Sequence, residues 1–523
     1  MTLLRCKNLA HLMMLACSCF VLASPVQAAI SWDGEGGSSW FFDPNNWTSD
    51  DDEDILPPGN LVAGDNIERT DLQINDGYEV IFDPVNDPNW ANAASLRYPI
   101  NNDAPGSGGD YGVIGDPADM RFDVYRFYMS RNTTESNTFV LKSGTLTAER
   151  TIVGRSGSQA GMPNQGTFIQ EGGVLSIPRE DLIIGAYESI EGGIPGGGGN
   201  GTYEYHSGSL EVGIDFNEGV FEILVGSESN SEGGTSGVSK FVVHNPGDAA
   251  GGHIIAQEFH TSSGDLNANG VDSGVAIVEF HYSNGGVRTV QVETVLGINN
   301  GVSDNGTRSS RLDLQLDEAV EVDGMGVPGN LGLFHVGVDG FDFVGQITGG
   351  GDEGGMFSNA DNTELYEQDS SVKAFYGGYE YEWQISYEGL ITFDENDYND
   401  DINGYQNSIV ESVEAEGASD VVLIGVGSTF VGLTGDYNEN GVVDAADFTV
   451  WRDTLNTSVT AGTGADGDGD GMITEADYDL WVAYFGQTVV PPVMASAATA
   501  VPEPASALLV LLACGAAAGR RRR

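Results

Sequence analysis

Three stretches of this chain repeat one pattern, and that pattern narrows the folds open to it. Thr138-Phe139-Val140-Leu141-Lys142-Ser143-Gly144-Thr145-Leu146 runs on to Ile152-Val153-Gly154. Thr167-Phe168-Ile169-Gln170-Glu171-Gly172-Gly173-Val174-Leu175 runs on to Ile183-Ile184-Gly185. Thr202-Tyr203-Glu204-Tyr205-His206-Ser207-Gly208-Ser209-Leu210 leads to Leu224-Val225-Gly226. The central glycines Gly144, Gly173 and Gly208 lie 29 and 35 residues apart. A weaker copy passes through Val278, Phe280, Gly286 and Val287 to Val295-Leu296-Gly297. Each unit has an aromatic strand, a glycine turn, a leucine strand and an aliphatic strand closed by glycine. One unit cannot bury its apolar face alone, whereas stacked units share a continuous core. No 3.6-residue apolar period is sustained here, so helices are not expected. The expected fold is mainly β: a right-handed parallel β-solenoid, with a β-sandwich as the alternative. Gly192-Gly193 and Gly196 to Gly199 read as loops on one side of the stack.

The chain has 523 residues, enough for roughly two to four domains. Lys and Arg number 21 against 78 Asp and Glu, a formal net charge of -57. Such a surface repels nucleic acid and anionic membrane and suits divalent cations. A hydrophobic content of 40% is too high for a disordered acidic chain. The four cysteines, Cys6, Cys17, Cys19 and Cys514, all lie near the two ends. If both ends are processed, the mature body has no disulfide and no thiolate chemistry.

The ends read as addresses. Arg5 and Lys7 precede an apolar run from Leu9 to Leu22, followed by Ser24-Pro25-Val26-Gln27-Ala28-Ala29. That is a signal peptide over 1–28, cleaved after Ala28. At the other end, Val501-Pro502-Glu503-Pro504 precedes an apolar stretch from Ala505 to Gly519 and four terminal arginines, Arg520 to Arg523. This order over 501–523 resembles a PEP-CTERM sorting signal. The resemblance implies an exosortase-type processing enzyme and release or transient anchoring at the cell surface. The apolar stretch would be about 22 Å long as a helix, short of a bilayer core of about 30 Å.

The body is expected over 29–430, with its repeats clearest over 137–300. Trp32-Asp33-Gly34, Trp40, Asp43-Pro44-Asn45-Asn46-Trp47 and Leu56-Pro57-Pro58-Gly59 resemble the opening coil of exported bacterial β-helical passenger proteins. The acidic run Asp50 to Asp54 between them reads as a solvated loop. Tyr379, Tyr381, Trp383, Ile385 and Tyr387 alternate with polar residues, the pattern of a half-buried strand. Their aromatic stripe is assigned to core packing rather than sugar stacking. Val421 to Val426 should be the last strand of the body.

Two twelve-residue segments carry the sharpest chemistry. One starts at Asp436, the other 30 residues later at Asp466. Both match the calcium loop of EF-hand type. Calcium takes six to eight oxygen ligands. Positions 1, 3 and 5 supply side-chain oxygens from Asp436, Asn438 and Asn440, and from Asp466, Asp468 and Asp470. Gly441 and Gly471 allow the sharp turn at position 6. Val442 and Met472 offer position-7 carbonyls, Asp444 and Thr474 act through water at position 9, and Asp447 and Asp477 close the shell at position 12. Two Ca2+ sites are therefore expected. Val443 and Ile473 at position 8 can pair the two loops through apolar contact. A helix should follow each loop, with the position-12 acid in its first turn. Phe448 and Trp451 answer to Tyr478 and Trp481, rows that let the two helices pack.

Aspartate at position 12 and a helix after each loop resemble the duplicated dockerin type I module, over about 431–488. The resemblance implies docking onto a cohesin-like protein and, through it, assembly of polysaccharide-degrading complexes. Recognition positions that often carry a hydroxyl pair are here Ala445-Ala446 and Glu475-Ala476. A linker is expected over 489–500. Asp265-Leu266-Asn267-Ala268-Asn269-Gly270 begins a third such loop, but position 12 is Ala276, so it reads as a surface turn.

No catalytic motif accompanies these features: H-E-x-x-H, G-x-S-x-G and the phosphate loop are absent. Six histidines outside the leader, His206, His244, His253, His260, His281 and His335, show no metal-ligand spacing in sequence. Lys142, Arg150, Arg155 and Arg179 could serve a polysaccharide lyase, but nothing in sequence selects among them. Two functions stay open. One is an exported surface or matrix protein with an adhesive or scaffold body. The other is a dockerin-borne enzyme, a lyase or glycoside hydrolase acting on polysaccharide. Acidic and basic groups clustered on one face would favour the second.

Overall fold

The computed structural model describes residues 29–49, 71–75, 77–90, 120–130, 135–154, 165–185, 200–213, 221–226, 238–247, 251–261, 275–296, 310–337, 346–347, 357–359, 364–393 and 410–494. The leader 1–28, the acidic run with Leu56 to Gly59, Arg155, the Gly192–Gly199 insertion, the loop from Asp265 and the tail 501–523 lie outside the described residues. The chain forms two compact units: Met1–Glu318 with Asn330–Ala374 and Trp383–Ile424, and Ala319–Gly329 with Phe375–Glu382 and Gly425–Arg523.

The first unit is built from parallel strands that each repeat adds in turn. One ladder takes the aromatic strands: Glu79–Phe82, Ser136–Leu141, Gln165–Gln170, Asn200–Tyr205, Val238–His244, Val275–Tyr282, Ser310–Leu316 and Ser358–Asn359. Its register lines up Phe139, Phe168, Tyr203, Phe241 and Val278, all buried. Their rings lie 5.0 Å apart from Phe139 to Phe168 and from Phe168 to Tyr203, and 5.7 Å from Tyr203 to Phe241. Aromatic pairs at such distances add to the area they bury.

The leucine and aliphatic strands make a second ladder. Arg121–Met129 and Thr145–Val153 are continuous, whereas the next two repeats break the line in two. Val174–Ile177 and Ser209–Val212 continue its first half; Leu182–Ile184 and Glu222–Val225 continue its second. Ile254–Thr261 rejoins the halves and Val290–Leu296 follows. Buried Leu146, Leu175, Leu210, Ile254 and Val290 thus share a row, as do Val153, Ile184 and Val225.

The glycine turns stack as well, which is why the repeat needs glycine there. Gly173 and Gly208 have φ of +69° and +90°. A Cβ on Gly173 would lie 2.6 Å from the Gly144 carbonyl oxygen, and one on Gly208 2.2 Å from that of Gly173. Sequence reading passed over the next rung. Phe241 and Gly252 supply it, between the third unit and the weaker copy, because Asn245-Pro246-Gly247 replaces the Ser-Gly turn. In the weaker copy the stacked position falls to Arg288 rather than Gly286. Arg288 is 2% exposed, and its guanidinium donates to the carbonyl oxygens of Gly252 and Gly247 at 3.3 and 3.4 Å.

Aromatic packing marks the start of this unit. Trp32 and Trp47 meet edge to face at 5.0 Å, beside Phe41 and Phe42. Further along, Leu331–Val336 pairs antiparallel with the strand Asp420–Phe430, where Val421, Val422 and Leu423 are buried. Fully buried Asp420 accepts from the Val336 and Ile391 N–H groups at 2.7 and 2.6 Å. Tyr381, Trp383 and Ile385 of the strand Tyr379–Phe393 are buried, so the aromatic stripe serves the core.

The second unit contains two helices, α1 (Ala445–Thr454) and α2 (Glu475–Tyr484). Its last strand, Val493–Met494, pairs parallel with Glu321–Val322, and the Val490 N–H donates to the Gly377 carbonyl at 2.9 Å. Residues 489–494, expected to begin a linker, are therefore held by backbone hydrogen bonds. Among the described residues, no helix is long and apolar enough to cross a membrane.

Candidate metal centre

Both helices start where the loop chemistry ends. Asp444 and Thr474 are the N-caps: the Ala446 N–H donates to Asp444 Oδ1 at 2.7 Å and the Ala476 N–H to Thr474 Oγ1 at 3.1 Å. Asp447 and Asp477, three residues on, accept from the N-cap N–H groups at 2.8 and 2.6 Å. These reciprocal pairs are capping boxes, which satisfy donors that a helix start leaves open. The position-12 acids thus sit in the first helical turn, as expected, and are buried. The side-chain oxygens of position 9 serve as caps, a role that sequence reading did not assign.

The other oxygen of each position-12 carboxylate reaches back across its loop. Asp447 Oδ1 accepts from the Asn438 N–H at 3.0 Å; Asp477 Oδ1 accepts from Gly467 and Asp468 at 2.6 and 3.2 Å. Position 1 organises the turn. Asp436 accepts from Asn440 and Gly441 at 3.0 and 2.7 Å. Asp466 Oδ2 accepts from Gly462 and Gly471 at 2.8 and 2.9 Å. Asn438 accepts from the Asn440 N–H at 3.0 Å, and Asp468 from that of Asp470 at 3.1 Å. Asn440 and Asp470 accept from Val442 and Met472 at 3.0 and 2.7 Å. Position 4 is left-handed in both copies, Glu439 at φ +57° and Gly469 at +73°, a constraint the ligand pattern alone did not reveal.

The two copies are held in reciprocal fashion. Backbone pairing joins Ile473 to Thr457, just after α1, and Val443 to Gln487, just after α2. The backbone of position 8 therefore pairs with the segment after the other copy's helix. Trp451 Nε1 donates to the Thr474 carbonyl at 2.6 Å, and Trp481 Nε1 to that of Asp444 at 2.9 Å. The Tyr437 hydroxyl adds a bond to the Asp477 carbonyl at 2.5 Å. Burial, with the negative charge of Asp477 and its neighbours, holds that hydroxyl well above the usual tyrosine range. Between the helices, Trp451 meets Tyr478 at 4.9 Å and Phe448 meets Trp481 at 5.4 Å, the packing the aromatic rows foretold.

A cation fits the second loop on two observations. Asp466, Asp468 and Asp470 bring ligand oxygens within 4.8 Å of one another. Asp466 Oδ1 is buried without a hydrogen-bond partner, a costly state for a carboxylate oxygen unless a cation meets it. The donors are oxygens, which suits a hard cation such as calcium. The first loop repeats the same turn with Asp436, Asn438 and Asn440.

Residues 434–485 match the dockerin type I domain. Dockerin type I domains bind calcium and dock onto cohesins, commonly on extracellular proteins. No curated protein and no solved structure matches the chain. Within the dockerin module, Ala445, Ala446, Glu475 and Ala476 are exposed at the helix starts. Val482 and Phe485 are exposed apolar residues on and just after α2.

Among the described residues, three basic side chains of the body, Lys142, Arg126 and Arg150, are engaged with acids. Lys142 meets Glu171 at 3.0 Å. Arg150 meets Glu180 at 2.8 Å and Asp181 at 3.6 Å, and Arg126 meets Glu180 at 3.1 Å. Burial pushes the Asp181 carboxyl up to about 6, helped by the Glu222 and Glu180 charges and opposed by the Glu222 N–H and Arg150.

Proposed function

We propose that this chain is an exported, calcium-binding surface or matrix protein, with a scaffold or adhesive body and a dockerin module that docks it to a cohesin-like partner. The signal peptide over 1–28 would export it, and the PEP-CTERM-like tail over 501–523 would address it to an exosortase-type enzyme at the surface. The body would be a right-handed parallel β-solenoid. The in-register parallel rungs support that form over a sandwich, whose sheets are antiparallel. Two calcium ions would occupy the loops, held by Asp436, Asn438, Asn440 and Asp447 and by Asp466, Asp468, Asp470 and Asp477. The carbonyls of Val442 and Met472 would complete the shells, with water on Asp444 and Thr474.

The observation that carries the docking reading is the match over 434–485 together with the unpartnered, buried Asp466 oxygen in its second loop. The cluster of Arg126, Arg150, Glu180 and Asp181 is where an enzymatic body would place acid–base chemistry. Its arginines pair with carboxylates of the body itself, and this clustering of acids and bases is the observation that favours the second reading, a polysaccharide lyase or glycoside hydrolase. Capture of a cohesin domain by the full chain in calcium, lost with a chelator, tests the docking claim. Cleavage of an acidic polysaccharide that the D181N variant loses would instead establish the enzyme.

A further inference from the structure

The body carries a second set of metal-ligating groups, far in sequence from the dockerin loops. The strands Asn200–Tyr205, Val238–His244 and Val275–Tyr282 are parallel neighbours, and His244 pairs in register with His281. His206 directly follows Tyr205, which pairs with Val243, so three imidazoles stand on successive rungs. His206 and His244 stack with centroids 4.1 Å apart, and the His244 and His281 rings, tilted by 36°, lie 3.9 Å apart. The next rung brings Asp317. Its Oδ1 lies 2.8 Å from His281 Nδ1 and its Oδ2 3.5 Å from His244 Nδ1. On the far side of the same ring, His281 Nε2 lies 2.9 Å from Glu279 Oε1. Glu279 is itself anchored by Lys240 at 3.2 Å.

We propose that His244, His281 and Asp317 form a site for a divalent transition-metal cation of the zinc class, cross-linking three successive rungs of the body. Ligand atoms of these three residues already lie within 4.8 Å of one another. Tetrahedral zinc, with bonds of about 2.0–2.1 Å, sets its ligand atoms about 3.3 Å apart. Asp317 faces both imidazoles, His281 through Oδ1 at 2.8 Å and His244 through Oδ2 at 3.5 Å, so small side-chain shifts would bring the three donors to that spacing. Two of the three donors are imidazole nitrogens, which suit zinc, nickel and copper rather than calcium. Glu279 occupies the place of the carboxylate that fixes a metal-bound histidine through its other nitrogen. Both nitrogens of His281 face carboxylates, Nδ1 toward Asp317 and Nε2 toward Glu279. The side chains of His244 and His281 are 23% and 14% exposed and that of Asp317 41%, so an ion can enter from solvent.

The test is zinc titration of the full chain by calorimetry, with calcium saturating so that the dockerin loops do not compete, and cobalt substitution followed by visible absorption. One zinc per chain is expected, with the intense absorption of low-coordinate cobalt. D317N, on the surface and safe for folding, should weaken zinc binding at least about tenfold, and E279Q about tenfold through the lost anchor. H281A should abolish it, while D466A leaves it unchanged. Absence of zinc binding in the wild-type chain overturns the proposal. So does affinity that D317N and H281A leave unaltered.

Discussion

The indole nitrogen of Trp451 donates to the carbonyl oxygen of Thr474, on the opposite copy of the calcium loop, at 2.6 Å. Trp481 returns the bond to Asp444 at 2.9 Å. Each helix therefore fixes the residue at which the other helix begins, which is also position 9 of the other loop. Ordering one loop helps to order the other, since each carries one end of the same pair of bonds.

Replacing Trp451 with Phe keeps most of the packing and leaves the Thr474 carbonyl without its donor. The cost should be about 1–2 kcal/mol, read as a lower calorimetric transition of the calcium-loaded chain. Calcium affinity should fall more in the second loop than in the first, and W481F should reverse that order.

The second loop has four acidic ligands, Asp466, Asp468, Asp470 and Asp477, against three in the first, Asp436, Asp444 and Asp447. It should bind calcium more tightly. D466A should therefore reduce total calcium affinity more than D436A in titration of the full chain. The reverse order would assign the stronger site to the first loop.

In the body, G208A should destabilise by more than about 2 kcal/mol, because a Cβ there meets the Gly173 carbonyl at a positive φ. Gly251 has φ of +64° with nothing within 4 Å of its Cβ position. G251A should cost only the backbone term, about 1–2 kcal/mol. Melting temperatures of the two variants compare steric stacking with strain alone.

Asp181 gives the body a pH dependence of a definite sign. Its folded pKa of about 6 stands above the unfolded value near 3.8, so the folded state favours the proton. The stability this provides is complete below about pH 4 and is lost as pH rises through about 6. D181N does not titrate. Its stability relative to wild type should therefore increase from pH 4 to pH 7, by at most about 3 kcal/mol. A constant difference in melting temperature over that range would contradict the assignment.

The readable parts of the sequence were those fixed by short-range spacing. Gly144, Gly173 and Gly208 declare the stacked turn because each sits between an aromatic strand of constant length and the start of a leucine strand. Positions 1, 3, 5, 6 and 12 of each calcium loop are set by the cation's geometry and need only twelve consecutive residues. Gly252 and Arg288 were not legible: a longer turn displaces the first, and the second fills a glycine position with a side chain bonded to the rung before. The pairing of Trp451 with Thr474 and of Trp481 with Asp444 joins residues 23 and 37 apart, so it emerges only when the copies are folded against each other. The histidines carried no local spacing. His244 and His281 meet because neighbouring rungs are in register, which no window along the chain can display.

Calcium titration of the full-length chain by calorimetry is the most direct trial of the dockerin reading. Two ions per chain, with the tighter step lost in D466A, is the predicted result. A chain that takes up no calcium would contradict it, and would leave the pair of helices and their crossed tryptophans without a metal-dependent role.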